Sequence, residues 1–230
     1  MSSSDRVGRV GVDGDVHCET VTLDRVLDAL QPMNVDAILC VGDLVDGPGD
    51  ADETLAILES RGVHCVAGNH ERWFLEGERR DVADATETLS EGSVRLLRNL
   101  SRTRVYDTPA GRAMLCHGVG EDDEAWLRPD TRGYALQDMP TLRELMLDDT
   151  IQFMVGGHTH QRMVRVFPGL TVVNAGTIHR KDEQTFTVID FAERTVGFHS
   201  ASEQDMGHLI EEVPLPPPPP VDCRCRCPCR

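Results

Sequence analysis

One arrangement recurs along this chain: a short apolar run ends in a turn that carries Asp, Asn or His. The last run, residues 151–156, leads into Gly157-His158-Thr159-His160. Residues i and i+2 of an extended loop point the same way, so the imidazoles of His158 and His160 can face one spot. Four earlier runs end in Asp15-x-His17, Gly42-Asp43, Gly68-Asn69-His70 and His117-Gly118.

Each of these segments, taken alone, has an ordinary explanation. Gly-Asp and Gly-Asn-His are common in turns, and His117, after Met-Leu-Cys, is compatible with a histidine packed in the core. His158 and His160 are compatible with turn residues. The repetition of the arrangement at successive strand ends favours a shared site over a coincidence of turns.

Predicted strands alternate with predicted helices in the first half of the chain. The apolar pattern predicts strands at 6–12, 35–41 and 63–67, a helix over 20–30 with Thr20 as its N-terminal cap, and a helix over 52–60. Such alternation is typical of a layered α/β fold, in which ligands bind beyond the strand ends. The sequence therefore places the polar segments at the functional edge of a sheet.

The second half contains a different pattern, in which hairpins predominate. We predict a helical region at 72–100, a loop or cap at 119–138 and a helix at 141–147. The strand-like runs are 104–106, 112–116, 163–167, 170–173, 186–191 and 195–199. The late hairpins predict a second, partly antiparallel sheet.

Composition limits the kinds of partner that this protein can bind and the cellular compartment that we expect for it. The formal net charge of −16 disfavours a general nucleic-acid surface but permits a small anionic substrate, because a bound metal can reverse the local charge. No apolar run is long enough for a membrane span, and the N-terminus lacks the pattern of a signal peptide. We therefore expect a cytoplasmic protein with a small phosphorylated substrate and no membrane partner. Its oligomeric state is left open.

The C-terminus differs in composition from the rest. We predict one domain over residues 1–205, followed by a disordered tail over 206–230 that is rich first in proline and then in Cys and Arg. The closely spaced thiols of Cys223, Cys225, Cys227 and Cys229 suit a soft metal or redox chemistry. Their spacing is tighter than the usual Cys-x2-Cys, which favours a tail with no essential role.

The polar segments supply carboxylate, amide and imidazole ligands. This mixture suits Mn²⁺, Fe, Zn²⁺, Co²⁺ or Ni²⁺ and argues against Ca²⁺ or Mg²⁺ alone. Seven ligands exceed the needs of one four-coordinate ion but fit two ions that share a carboxylate. Two ions about 3.5–4 Å apart can hold a bridging hydroxide and clamp both oxygens of a phosphoryl transfer.

In their order and spacing, these segments resemble the calcineurin-like metallophosphoesterases, and in particular the small bacterial phosphodiesterases of the YfcE type. The resemblance extends over about residues 5–200. It implies a four-layer α/β/β/α sandwich with two mixed β-sheets and a dinuclear metal site at the strand ends.

The resemblance also implies a role for each residue. The first ion would be held by Asp15, His17, Asp43 and His160. The second ion would share Asp43 and add Asn69, His117 and His158. The catalytic residue His70 would stabilise the transition state or protonate the leaving group. Arg72 is a candidate for binding a substrate phosphate, and Asp46 either orients a ligand or faces solvent.

Some positions depart from the family pattern. Cys18 replaces a glycine, Asn174-Ala175-Gly176-Thr177 replaces Asn-Pro-Gly-Ser, and His179 has no obvious counterpart. None of these changes removes a ligand. The acidic segment 121–124, with Trp126, is expected to form a wall of the pocket that repels highly charged substrates and favours diesters or small monoesters.

Three functions remain open at this point. The first is a metal-dependent phosphodiesterase or phosphatase acting on a small molecule or nucleotide. The second is a dinucleoside polyphosphate hydrolase. The third is a non-catalytic scaffold similar to the retromer subunit Vps29, for which we would expect eroded ligands or a lost catalytic histidine. The set here is complete, including His70, which favours an enzyme.

Overall fold

The computed structural model describes residues 5–78, 81–82, 84–217 and 219, and it contains two six-stranded sheets. The strands are β1 (Asp5–Arg6), β2 (Arg9–Asp13), β3 (Ala37–Cys40), β4 (His64–Cys65), β5 (Arg104–Thr108), β6 (Gly111–Leu115), β7 (Phe153–Gly156), β8 (Met163–Phe167), β9 (Leu170–Asn174), β10 (Thr185–Asp190), β11 (Thr195–Ser200) and β12 (Leu209–Pro214). The α-helices are α1 (Thr20–Leu30), α2 (Ala51–Ser60), α3 (Asn69–Glu76), α4 (Glu91–Asn99), α5 (Tyr134–Gln137) and α6 (Pro140–Leu147). None of these helices is long and apolar enough to cross a membrane.

Both sheets mix parallel and antiparallel pairs. One sheet has the order β1-β5-β6-β7-β9-β8 and the other β12-β11-β10-β2-β3-β4. In the second sheet β2, β3 and β4 run parallel, and in the first sheet β6, β7 and β9 do so. The carboxyl ends of these parallel strands therefore lie at common edges, where polar loops can meet.

Three apolar clusters give the fold its layers. The central cluster joins the inner faces of the two sheets, with Val12 and Leu39 from one and Leu115 and Phe153 from the other. A second cluster packs α1, α2 and α4 on the outer face of one sheet, and a third packs α6 on the outer face of the other. The predicted four-layer α/β/β/α sandwich is confirmed.

The amphipathic pattern explains why α1 lies where it does. Its buried apolar residues are Leu23, Val26, Leu27 and Leu30, whose spacing puts them on one helical face. The predicted cap is displaced by one residue, because Glu19 precedes the helix and Thr20 is its first residue. Thr20 Oγ1 instead lies 2.9 Å from Thr54 Oγ1, which ties α1 to α2.

Two predictions about secondary structure require correction. The region 72–100 is not one helix, since α3 ends at Glu76, before Gly77 in a left-handed conformation with φ 68°, and α4 begins only at Glu91. The late hairpins do not form a sheet of their own. The β8–β9 hairpin joins one sheet and the β10–β11 hairpin joins the other. Sequence periodicity identifies a strand but not the sheet that it enters.

The predicted domain boundary at residue 205 lies too early. Strand β12 pairs with β11, the side chain of Leu215 is buried in the central core, and the carbonyl of Pro216 accepts a hydrogen bond from Thr171. The carbonyl of Pro219 also accepts the Gly169 amide, so the described part of the proline-rich segment contacts the domain. The cysteines at 223–229 lie outside the described residues.

Candidate metal centre

The polar loops predicted from the sequence converge at the carboxyl ends of five strands. They follow β2, β3 and β4 in one sheet and β6 and β7 in the other. The loops approach so closely that glycine is required at two positions. A Cβ at Gly68 would lie 2.2 Å from Asp43 Oδ1, and one at Gly157 would lie 2.8 Å from Asp15 Oδ2.

Two pairs of imidazole nitrogens face each other across the site. His117 Nε2 lies 3.2 Å from His158 Nδ1, and His17 Nε2 lies 3.3 Å from His160 Nε2. An ion with tetrahedral bonds of about 2.1 Å would hold neighbouring nitrogens roughly 3.4 Å apart. The spacing therefore suits nitrogens that share a metal.

The orientation of two of these rings is fixed from behind. Nδ1 of His17 donates to the Asp46 carbonyl at 3.0 Å, and Nδ1 of His117 donates to the Val41 carbonyl at 2.9 Å. In the neutral rings this leaves the Nε2 lone pair directed into the site, as a metal ligand requires. The buried Nε2 of His158 has no hydrogen-bond partner among the described residues.

Asp43 lies between the two halves of this centre. Its Oδ2 is 3.2 Å from His117 Nε2 and 3.7 Å from His17 Nε2. Among the described residues, three groups of side chains have ligand atoms that all lie within 4.8 Å of one another, and one of them, from His160, His179 and Asp182, lies beside the centre. The two groups within the centre come from His17, Asp43 and His70 and from Asp43, His117 and His158. Asp43 belongs to both groups, which is the position that a bridging carboxylate would occupy.

The charges of the side chains in the centre favour a proton or a cation held between them. Burial opposes charge on Asp43, but His117, His70 and His17 outweigh it and lower the pKa of Asp43 well below its ordinary value. Burial likewise opposes charge on His117, but Asp43 raises its pKa to about 10. The ligand set therefore attracts positive charge into a buried space.

The other predicted oxygen ligands also lie here. Asn69 Oδ1 is 2.9 Å from His117 Nε2. Asp15 is fully buried, and its carboxylate oxygens accept the His158 amide at 2.8 and 3.1 Å. Asp15 does not join either of the two close groups among the described residues. Its role as a ligand stays a prediction.

An additional histidine and an aspartate lie beside His160. Asp182 Oδ2 is 2.8 Å from His160 Nδ1 and 3.0 Å from His179 Nδ1. The loop that carries them is held by Arg180, which forks onto the buried carboxylate of Glu19 at 2.7 and 2.8 Å. Asp182 thus orients His160 so that its Nε2 faces His17. The sequence singled out His179 but gave no signal for Asp182.

His70 lies at the edge of the centre and is also held from behind. Its Nδ1 lies 2.8 Å from Asp46 Oδ2, while its Nε2 lies 3.9 Å from Asp43 Oδ2. Burial disfavours the charged ring, but Asp46 and Asp43 outweigh it and raise the pKa of His70. Asp46 is buried and contacts a predicted site residue, so it does not face solvent, and its role in orienting a metal ligand stays a prediction.

Glu71 is a buried anchor whose role the sequence reasoning missed. Its carboxylate accepts the amides of Asp43 and Gly68 through Oε2 at 2.9 and 2.7 Å, and those of Leu44 and Val45 through Oε1 at 2.7 and 3.1 Å. The side chain thereby fastens the loop after β3 to the start of α3. Its place directly after His70 was the available signal.

Backbone strain is concentrated at the same loops. Six non-glycine residues of the site region have positive φ: His17, Cys18, Asp43, Asp46, His158 and His160. This conformation costs free energy for such residues and is typical of functional sites. Asn174 supports one of these loops by donating to the Gly157 carbonyl. The strain could not have been predicted from residue types.

A cavity of ≈ 640 Å³ opens over the centre. One side, which we call the cavity wall, consists of Trp73, Glu124, Trp126 and Arg128. Of the acidic segment 121–124, only Glu124 lines the cavity. Its Oε1 accepts from Arg72 at 2.7 Å and from the Trp73 indole at 3.1 Å, so the expected acidic wall is largely neutralised.

Arg72 does not occupy the predicted position beside a substrate phosphate. Its guanidinium forks onto Asp123 at 2.8 and 3.1 Å and also contacts Glu124, and it is not among the residues that line the cavity. A guanidinium with several carboxylate partners is already satisfied. Arg72 stabilises the wall from behind.

Residues 9–194 match the calcineurin-like phosphoesterase superfamily domain. The chain belongs to this superfamily. No curated protein matches the sequence.

Solved structures share this fold at low sequence identity. A metallophosphoesterase from Sphaerobacter thermophilus is 19% identical, with a TM-score of 0.61 over 88% of each chain. The phosphoesterase YfcE from E. coli is 16% identical, with a TM-score of 0.56 over 90% of this chain and 100% of the other. Vps29 from Entamoeba histolytica, complexed with zinc, is 19% identical, with a TM-score of 0.51 over 90% of this chain and 99% of the other. The likeness extends to a solved Vps29 as well as to phosphoesterases.

Proposed function

We propose that this protein is a metal-dependent phosphoesterase that hydrolyses phosphate esters of a small molecule or nucleotide at a dinuclear centre. One observation carries the proposal: Asp43 belongs to two ligand groups at once. In each half of the centre two imidazole nitrogens lie within 3.3 Å of each other. Manganese is the first candidate metal, and Fe, Zn²⁺, Co²⁺ and Ni²⁺ suit the same ligands.

The chain's own residues would bind the ions, orient the ligands and act on the phosphoryl group. Bound divalent ions would supply Lewis acidity, which activates water and neutralises charge on the phosphoryl group. His17, His117, His158 and His160 would hold the ions through the nitrogens that face the centre. His70, oriented by Asp46, would protonate the leaving oxygen or stabilise charge on the phosphoryl group. Asp182 would keep His160 in the tautomer that binds metal.

The cavity favours a phosphodiester. Among the described lining residues, Glu124 is paired with Arg72, and Asp182 contacts two histidines. Arg128 is the one lining arginine, and none of the described carboxylates pairs with it. A diester has a second ester group that can lie against this wall, which is why we favour it, whereas the unpaired cation by itself suits any anionic ester.

The test is hydrolysis of bis(p-nitrophenyl) phosphate and p-nitrophenyl phosphate with and without Mn²⁺, on the wild type and on Asp43→Asn. We expect diester turnover that requires metal and falls by about three orders of magnitude or more in Asp43→Asn, because the shared ligand is lost. Asp149→Asn, an exposed loop change, is the matched control.

Other outcomes would separate the alternatives. A preference for the monoester would indicate a phosphatase, and turnover confined to dinucleoside polyphosphates would indicate the second hypothesis. A folded protein that binds metal but hydrolyses none of these substrates would contradict the enzyme and favour a scaffold of the Vps29 kind.

A further inference from the structure

The cavity wall contains an aromatic surface that the hydrolytic chemistry does not require. The chain has only two tryptophans, Trp73 and Trp126, and both line the cavity. Trp126 remains 51% exposed. Large apolar side chains gain free energy by burial, so an exposed indole at a concave site indicates contact with a ligand.

The wall is ordered by contacts with the metal centre. The Trp126 ring lies 5.1 Å from the His158 ring, edge to face, and the Trp73 ring lies 4.8 Å from the His70 ring. The Trp73 indole N–H is held by Glu124. A flat group on this wall would therefore lie immediately beside a phosphoryl group at the centre.

A cation completes the wall. The Arg128 guanidinium stacks over the Trp126 ring at 4.4 Å from its centroid. It lines the cavity, and the described residues give it no acidic partner. An indole with a stacked guanidinium is a surface on which nucleobases stack, and the cation attracts the anionic ester.

We propose that Trp73, Trp126 and Arg128 form a subsite for a nucleobase, so that the substrate is a phosphodiester of a nucleoside. This inference rests on the proposed phosphoesterase function and names its substrate class. The cavity volume of ≈ 640 Å³ lies inside the range of about 300–1,000 Å³ of small-molecule sites. It accommodates one nucleoside beside the phosphoryl position.

Binding can be tested apart from catalysis, because both tryptophans report on the cavity. The fluorescence of Zn²⁺-loaded and of EDTA-treated protein is titrated with adenosine 5′-monophosphate, ribose 5-phosphate and phenyl phosphate. We expect quenching by the nucleotide and binding roughly ten-fold tighter than that of ribose 5-phosphate in both preparations, since the base stacks. Trp73→Phe leaves Trp126 as the sole reporter.

A kinetic comparison supplies the second measurement. The p-nitrophenyl ester of thymidine 5′-monophosphate and methyl p-nitrophenyl phosphate share a leaving group and differ in the nucleoside. Trp126→Leu should raise KM for the nucleoside ester about ten-fold more than it raises KM for the methyl ester. Tyr134→Leu, which changes an aromatic residue that is 89% exposed and does not line the cavity, is the matched control.

The outcomes distinguish this inference from the proposed function. Equal binding of the nucleotide and ribose 5-phosphate, or an unchanged nucleotide affinity in Trp126→Leu, would overturn the subsite. Phenyl phosphate that binds as tightly as the nucleotide would overturn its assignment to nucleosides. Nucleotide binding without hydrolysis of any ester would support the subsite and contradict the phosphoesterase.

Discussion

The metal centre under the cavity, which we call the floor, differs in construction from the cavity wall. On the floor, the side chains of Asp43 and His117 are buried, and buried hydrogen bonds fix the rings of His17 and His117 from behind. On the wall, Trp126 and Arg128 are exposed and belong to the loop after β6. We infer from this difference that the chemistry would take place on the buried floor, whereas substrate choice would depend on a loop that can change without disturbing the ligands.

The strongest way to disturb the floor without removing a predicted ligand is Glu71→Gln. The carboxylate accepts four buried amides, and the neutral amide would turn an NH2 toward some of them. We expect a loss of about 3 kcal/mol in the free energy of unfolding, measured with urea. Glu59→Gln, on the exposed face of α2, is the control. A loss below about 0.5 kcal/mol would contradict the role of Glu71 as an anchor.

Asp46→Asn separates catalysis from metal binding on the floor. The change weakens the contact that orients His70 but retains the backbone carbonyl that fixes His17. We expect kcat for the diester to fall about 10- to 100-fold with metal stoichiometry unchanged. Asp50→Ser, which keeps an N-cap residue on α2, is the control. A fall in both metal stoichiometry and kcat would show that Asp46 supports the metal ligands instead.

Asp182→Asn tests whether the metal centre depends on the aspartate that contacts His160. The aspartate contacts Nδ1 of His160, and partners of metal-binding histidines typically contribute about 10-fold or more to affinity. Isothermal titration with Zn²⁺ should show one of two sites weakened by about that factor. Asp205→Asn, exposed and distant, should titrate like the wild type. Equal Zn²⁺ affinities in Asp182→Asn and the wild type would show that Asp182 does not contribute to metal binding.

Arg72→Gln should have the smallest effect on KM, and it tests whether the arginine that supports the cavity wall also contacts the substrate. Its guanidinium is satisfied by Asp123 and Glu124, so we expect KM for the diester to change by about two-fold or less. The comparison is Trp126→Leu with the nucleoside ester, for which we expect about ten-fold. A ten-fold rise in KM for Arg72→Gln on both esters would restore the predicted contact with the substrate phosphate.

The sequence predicted the floor better than the wall for a physical reason. Gly68-Asn69-His70 and Gly157-His158 are local patterns, because the chemistry, the turn and the strand end lie within a few residues. The wall depends on where a loop folds back, and Arg72 meets Asp123 across 51 positions of sequence. Asp182 reaches His160 in the same non-local way, so residue types alone did not reveal either contact.

The fold shows the same division between local and distant information. Helices α1 and α2 were predicted within one or two residues, since amphipathic spacing is local. The position of β12 was missed because the prolines that follow it suggested a disordered tail, whereas pairing with β11 and burial of Leu215 decide the structure. Tertiary contacts outweighed composition there.

The most direct test of the central claim is an anomalous difference map from crystals of the Mn²⁺-loaded protein. A dinuclear floor predicts two peaks about 3.5–4 Å apart on either side of Asp43, one near His17 and one near His117. No peak at Asp43, or a single peak confined to the group of His160, His179 and Asp182, would contradict the account.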